Sequence, residues 1–319
     1  EDALPMKSFI ALLCVGFALS GPLRAKPKSP SPLKIESGTH LVLLGNGLGS
    51  RMMRYGHFET EMQRRYATHK LFIRNMCDEG NTPAFRPHSG RNDPWPFPGA
   101  KKYRTLSKAR DRWGSGHAGN GFYEKPDQWL TRLKADVIVA FFGFNESFEG
   151  AAGLERFKSE LTDFIKHTRA QKYNGRSAPQ LALVSPIAFE DLSATHGTPD
   201  GKVANTNLAI YTAAMEDVAR RHGVLYLDIF SVTHGWFESA KTPLTRDGAL
   251  LNKAGYLRLA PVLADGLFGR AVVRGSSAKI LEVVREKNWF WQKYYKIPNG
   301  VHVYGRRHRP HGPRNYPHE

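Results

Sequence analysis

The run VIVAFF at 137–142 is apolar on both faces, so a strand formed there must be covered above and below. Four comparable runs accompany it: HLVLLG at 40–45, LFIRN at 71–75, LALVSPI at 181–187 and LYLDIF at 225–230. Between them lie segments with apolar residues at helical spacing. These are 50–67 (Met52, Met53, Phe58, Met62), 127–134, 154–170, 205–222 (Leu208, Tyr211, Met215, Val218) and 252–267. Doubly buried strands alternating with helices predict a parallel sheet between two helical layers, a flavodoxin-like α/β/α sandwich. No internal repeat interrupts the pattern.

The flanks read differently. Residues 6–25, MKSFIALLCVGFALSGPLRA, have an early lysine, an apolar core and a small-residue end, the layout of a secretory signal peptide with cleavage near Ala25. That predicts a secreted or periplasmic protein, and the apolar core is too short for a comfortable membrane span. Cleavage would leave Cys77 as the only cysteine, so no intrachain disulfide is expected. Residues 26–38 read as a Pro/Ser linker, 39–270 as the globular unit, and 271–319 as a closing helix followed by a disordered basic tail. The stretch 76–126 has little periodicity and leaves the second strand where open α/β sheets place ligands. It carries Trp95, Phe97, Trp113 and Phe122, rings suited either to sugar stacking or to packing the loop onto the sheet.

Lysine and arginine number 46 against 29 acids, a formal charge of +17. Such a balance favours an anionic partner, an acidic, acylated or sulfated glycan for example, or is simply a solvated basic surface. No nucleic-acid reader motif accompanies it, so no nucleic-acid partner is expected.

The segment GNGLGS at 45–50 sits between an apolar strand and a helix, nearly at the spacing of a dinucleotide-binding turn. The third glycine is displaced, and the second strand ends Ile73-Arg74-Asn75 with no acid for a ribose. A dinucleotide site is therefore the distant alternative, and no cofactor is expected. Asn46, Asn145 and Asp247 could offer oxygens to a hard cation, but the set is weak and no zinc-ligand spacing occurs, so no metal is expected.

Four separated segments, LGNGL at 44–48, NMCDEGNT at 75–82, GFNE at 143–146 and TRDGALLNKAGY at 245–256, occur in an order that resembles the SGNH (GDSL) hydrolase family. The resemblance spans roughly residues 39–268 and implies an ester hydrolase of carbohydrate-esterase type. It places Gly80 and Asn145 at the oxyanion-hole donors and Asp247 at the triad aspartate. It also places Gly47 at the nucleophile and Leu250 at the general base, where the family has serine and histidine. In such a triad serine and histidine act as a unit, and losing either costs on the order of 10⁶ in turnover. Asn46 replaces the family's first aspartate.

Substitutes can be named: Ser50 one turn beyond Gly47, a water activated by Asp247, His117 or His57, or the Cys77 thiol. Each has a plainer structural reading. The expectation is a degenerate or repurposed hydrolase domain with Asn46, Trp95 and Phe97 as binding residues. A non-catalytic glycan-binding module is the alternative.

Overall fold

A computed structural model describes residues 31–86, 95–96, 126–273 and 276–292. The expected signal peptide, linker start and basic tail, together with Phe97, Trp113, His117 and Phe122, lie outside the described residues.

Five parallel strands make the sheet: β1 (His40–Gly45), β2 (Phe72–Asn75), β5 (Val137–Phe141), β6 (Gln180–Val184) and β7 (Leu225–Leu227), in the order β2-β1-β5-β6-β7. A two-stranded ribbon, β3 (Phe85–Arg86) with β4 (Trp95–Pro96), stands apart from it. In the central β1–β5 pair Leu41 faces Val137 and Gly45 faces Phe141. The period of two along β5 then divides the core. Val137, Val139 and Phe141 face one way and pack with Met52, Phe58, Met62 and Leu263. Ile138, Ala140 and Phe142 face the other way, against Leu161, Phe164, Tyr211 and Met215. The sheet is thus covered on both faces, as the apolar runs require, and the fold is the expected α/β/α sandwich.

The segment expected as one helix over 50–67 is two: α1 (Gly47–Tyr55) and α2 (His57–Arg65). Gly56 between them has φ +70°, the left-handed conformation glycine adopts without penalty, and it closes α1 by donating to the Met52 carbonyl. Helices α3 (Pro126–Arg132), α5 (Leu154–Arg169), α7 (Lys202–His222) and α9 (Lys253–Phe268) lie where the spacing predicts them, with α4 (Phe144–Ser147) and α6 (Ser193–His196) as single turns. The strand expected over 225–230 stops at Leu227, and α8 (Phe230–Ser239) follows directly.

The last helix, α10 (Ala278–Phe290), docks against α1 and α2. The Lys287 ammonium donates to Glu59 Oε2 at 2.8 Å and to the Ile73 carbonyl at 3.0 Å. Just beyond the helix, the Trp291 indole donates to the Asn75 carbonyl at 2.8 Å. Among the described residues no helix is long and apolar enough to cross a membrane.

Candidate functional site

The carboxyl ends of β1, β2, β5 and β6 surround one cleft of about 160 Å³. Gly47 and Asn46 enter it after β1, Glu79 and Gly80 after β2, Asn145 after β5, and Ala249 and Leu250 from the loop before α9. Leu48, Phe141, Phe142, Phe144, Pro186 and Ile187 supply apolar walls. Gly47, Gly80, Asn145 and Leu250, four positions far apart in sequence, therefore share one cavity.

The opening turn is held by packing and by its cap. A Cβ on Gly45, which has φ +122°, would overlap the Phe141 backbone. On Gly49 it would overlap the Cys77 sulfur and come within 2.9 Å of the Phe141 ring. Close strand–helix packing thus accounts for two of the three glycines without any phosphate. Gly47 is different: a Cβ there would meet only Glu79 Cγ, at 3.5 Å, an ordinary contact. Asn46, buried in extended conformation, caps α1 by accepting from the Leu48 amide, so it is both a wall residue and a structural cap.

The second loop is fastened to the first. The Gly45 carbonyl accepts from the Asp78 amide at 2.8 Å and from Asn81 Nδ2 at 3.1 Å. Asn75 adds two bonds, donating to the Gly49 carbonyl and accepting from the Cys77 amide. Gly80 has φ +81°, which turns the chain so that its backbone borders the cleft.

Asn145 sits in the one-turn helix α4. Gly143, at φ +94°, starts the turn, and its amide donates to Glu146 Oε2 at 2.8 Å, closing a small ring around Asn145. Asn145 Nδ2 donates to the Asn81 carbonyl at 2.9 Å. A side-chain amide carries two N–H groups, so this bond aims the group and leaves one donor.

Asp247 is exposed and does not line the cleft. Its Oδ1 accepts from the Ala249 and Leu250 amides, at 3.1 and 2.8 Å, and so shapes the turn that carries Leu250. That loop is clasped by a residue sequence reading missed. Glu190 is buried, and its carboxylate accepts from the Leu244 amide (3.0 Å), the Thr245 amide (2.7 Å) and the Thr245 hydroxyl (2.5 Å). Tyr256 ties α9 back to the opening turn by donating to the Leu48 carbonyl at 2.9 Å, and burial pushes its phenol well above the ordinary tyrosine value.

None of the substitute nucleophiles or bases among the described residues occupies the cleft. Cys77 is wholly buried beneath Gly49, and Ser50 and His57 are not wall residues. His57 lies in a crevice with Met52, Tyr256 and Leu259, where burial, then Lys253 and Arg285, hold its pKa below the usual histidine value. Ser185 does reach the wall, but its hydroxyl donates to the Pro186 carbonyl and accepts from the Ile229 and Phe230 amides. The β4 backbone includes Trp95, while Phe97 is outside the described residues, so their expected stacking role stays with the sequence. No group of three or more His, Cys, Asp or Glu side chains capable of holding a metal ion occurs among the described residues. Glu79 is the one titratable side chain among the described wall residues, and sequence reading passed over it.

A family model for the GDSL-like lipase/acylhydrolase family matches residues 86–258, more than half of the chain. The chain belongs to that family. The matched span holds Asn145, Asp247 and Leu250 and begins after Gly47 and Gly80. Among solved structures, the chain aligns with Axe2, an acetylxylan esterase from Geobacillus stearothermophilus, at 14% identity and TM-score 0.48, covering 76% of this chain and 100% of that one. LAE5, an alpha/beta hydrolase enzyme from the metagenome of Lake Arreo, Spain, aligns at 15% identity and TM-score 0.47, covering 73% and 96%. Comparison with curated protein sequences gives no significant match.

Proposed function

We propose that this member of the GDSL-like family is an exported domain whose cleft binds an acylated, hydroxyl-rich ligand such as an esterified sugar, without forming an acyl-enzyme. The observation that carries the reading is the cavity wall itself. Gly80 and Asn145, which by resemblance would donate to a carbonyl oxygen, both line it, while Gly47 and Leu250 supply neither hydroxyl nor imidazole. Aimed donors of this kind stabilise a developing oxyanion and bind a ground-state carbonyl without any nucleophile. Asp247, in this reading, has become a turn residue that holds Leu250 in the wall.

The wall also revises the ligand's charge. The net +17 suggested an acidic or sulfated glycan, yet the single formal charge among the described wall residues is the Glu79 carboxylate. A carboxylate facing a largely apolar cleft repels anions, so the ligand is taken to be neutral at this point. Direct hydrolysis by water is a second reading, favoured by the position of Glu79.

A serine-directed fluorophosphonate tests the absence of covalent chemistry. The wild-type chain should give no adduct, and the double variant Gly47→Ser with Leu250→His should be labelled at residue 47. Wild-type labelling within the cleft would refute the reading. Asn145→Ala should weaken binding of an acetylated xyloside about tenfold, the loss of one hydrogen bond to a ligand in a dry site.

A further inference from the structure

We propose that Glu79 acts as a general base, activating a water molecule placed where a side chain on residue 47 would otherwise stand, so that a bound ester is cleaved in a single displacement. The proposal rests on the reading of Gly80 and Asn145 as the oxyanion corner and adds to it the group that moves the proton.

Three observations converge on Glu79. Its Cγ lies 3.5 Å from the point where a side chain on Gly47 would begin, and both residues line the same cleft. It directly precedes Gly80, so base and oxyanion donor belong to one loop, and that loop is pinned to the Gly45 carbonyl through Asp78 and Asn81. The one hydroxyl among the described wall residues, Ser185, is committed to three backbone partners, and Asp247 stands outside the wall with its Oδ1 on the Ala249 and Leu250 amides. Because no packing requires glycine at 47, its small size leaves space beside Glu79 in the cleft wall.

The Glu79 carboxylate takes a proton from water as the water oxygen bonds to the acyl carbon. The carbonyl π pair moves onto its oxygen, which accepts from the Gly80 amide and the remaining Asn145 N–H. Collapse re-forms the carbonyl and breaks the bond to the alcohol oxygen, which receives the proton from Glu79. One water and one ester become one carboxylic acid and one alcohol, and the carboxylate is restored. General-base assistance of this kind is worth about 10²–10⁴-fold, so turnover is slow beside a serine-triad enzyme.

Purified full chain is assayed with 4-nitrophenyl acetate and with phenyl acetate. The expected result is slow steady turnover of both esters with no initial burst. Glu79→Gln should lower kcat about 100-fold with little change in KM, and Glu79→Asp should keep part of the rate. A solvent deuterium isotope effect present in the wild type should vanish in Glu79→Gln, which a merely structural residue would not produce. Wild-type turnover no faster than buffer overturns the proposal, as does Glu79→Gln at the wild-type rate with its circular dichroism unchanged. Titration with acetanilide separates the two ideas. If the wild type binds it, Asn145→Ala binds it more weakly and no ester is cleaved, the base fails and the corner stands. If Asn145→Ala changes neither binding nor turnover, the corner itself fails.

Discussion

Gly49 lies so close against Cys77 that a single methyl group on the former would overlap the sulfur of the latter. Two residues earlier in the same helix, Gly47 has room. Gly49→Ala should therefore destabilise the chain by about 1–3 kcal/mol through overpacking, whereas Gly47→Ser should stay within about 0.5 kcal/mol of wild type. Urea unfolding midpoints check both. Adding Cys77→Ala to Gly49→Ala should recover part of the loss, since it removes the overlapping atom. Equal losses at 47 and 49 would contradict the packing described for the opening turn.

Glu190 gathers two amides and a hydroxyl onto one buried carboxylate. Glu190→Gln keeps the shape but turns part of the acceptor into a donor facing donors. The expected loss is about 2 kcal/mol for the charge-assisted bonds. Since that loop presents Leu250, protease nicking between 241 and 250 should accelerate as well. Unchanged stability would mean that Thr245 and Leu244 find other acceptors.

Lys287 and Glu59 form a pair at the seam between α10 and α2. Burial raises the Glu59 carboxyl and lowers the Lys287 ammonium, each working against its charged form. Lys287→Met leaves the buried carboxylate with Asn288 and Arg74 but without its ammonium partner, and should cost about 3 kcal/mol. The sign of the pH effect follows from Glu59. A carboxyl whose folded pKa lies above its unfolded value binds protons more readily when folded, so its stability contribution is present at low pH and lost as pH rises through the folded value. Without lysine that pKa rises further, and the variant's deficit should be smaller at pH 5 than at pH 8. Thermal melts at the two pH values measure it.

His57 predicts the opposite slope. Its folded pKa is depressed by burial, Lys253 and Arg285, so the unfolded chain takes up the proton first on acidification. Stability from this group is complete above the ordinary histidine range and falls as pH drops towards the folded value. His57→Leu should flatten the stability profile between about pH 7 and pH 5. It should leave any ester turnover untouched, since His57 stands outside the cleft.

The sheet was legible because strands buried on both faces leave a continuous apolar run, and VIVAFF at 137–142 has no other economical use. The meeting of residues 47, 80, 145 and 250 was legible because four short motifs keep their order at strand ends. Boundaries were not. Gly56 looks like an ordinary interruption in sequence, yet its left-handed backbone splits one expected helix into two. Glu190 and Glu79 escaped for a different reason. A lone glutamate carries no pattern, and its worth depends on partners 54 or more residues away in one case and on a missing side chain in the other. Asp247 was placed by motif, but only coordinates show its oxygen spent on the turn before Leu250.

The indole of Trp291 holds the carbonyl of Asn75, whose side chain reaches both Gly49 and Cys77. One residue thus serves as a knot between the segment that ends α10 and the lip of the cleft. Loosening that knot, by Trp291→Phe for instance, slackens the loop that bears Glu79 and Gly80 although nothing near the cleft has been altered. The cleft end of this sandwich is moored partly from behind.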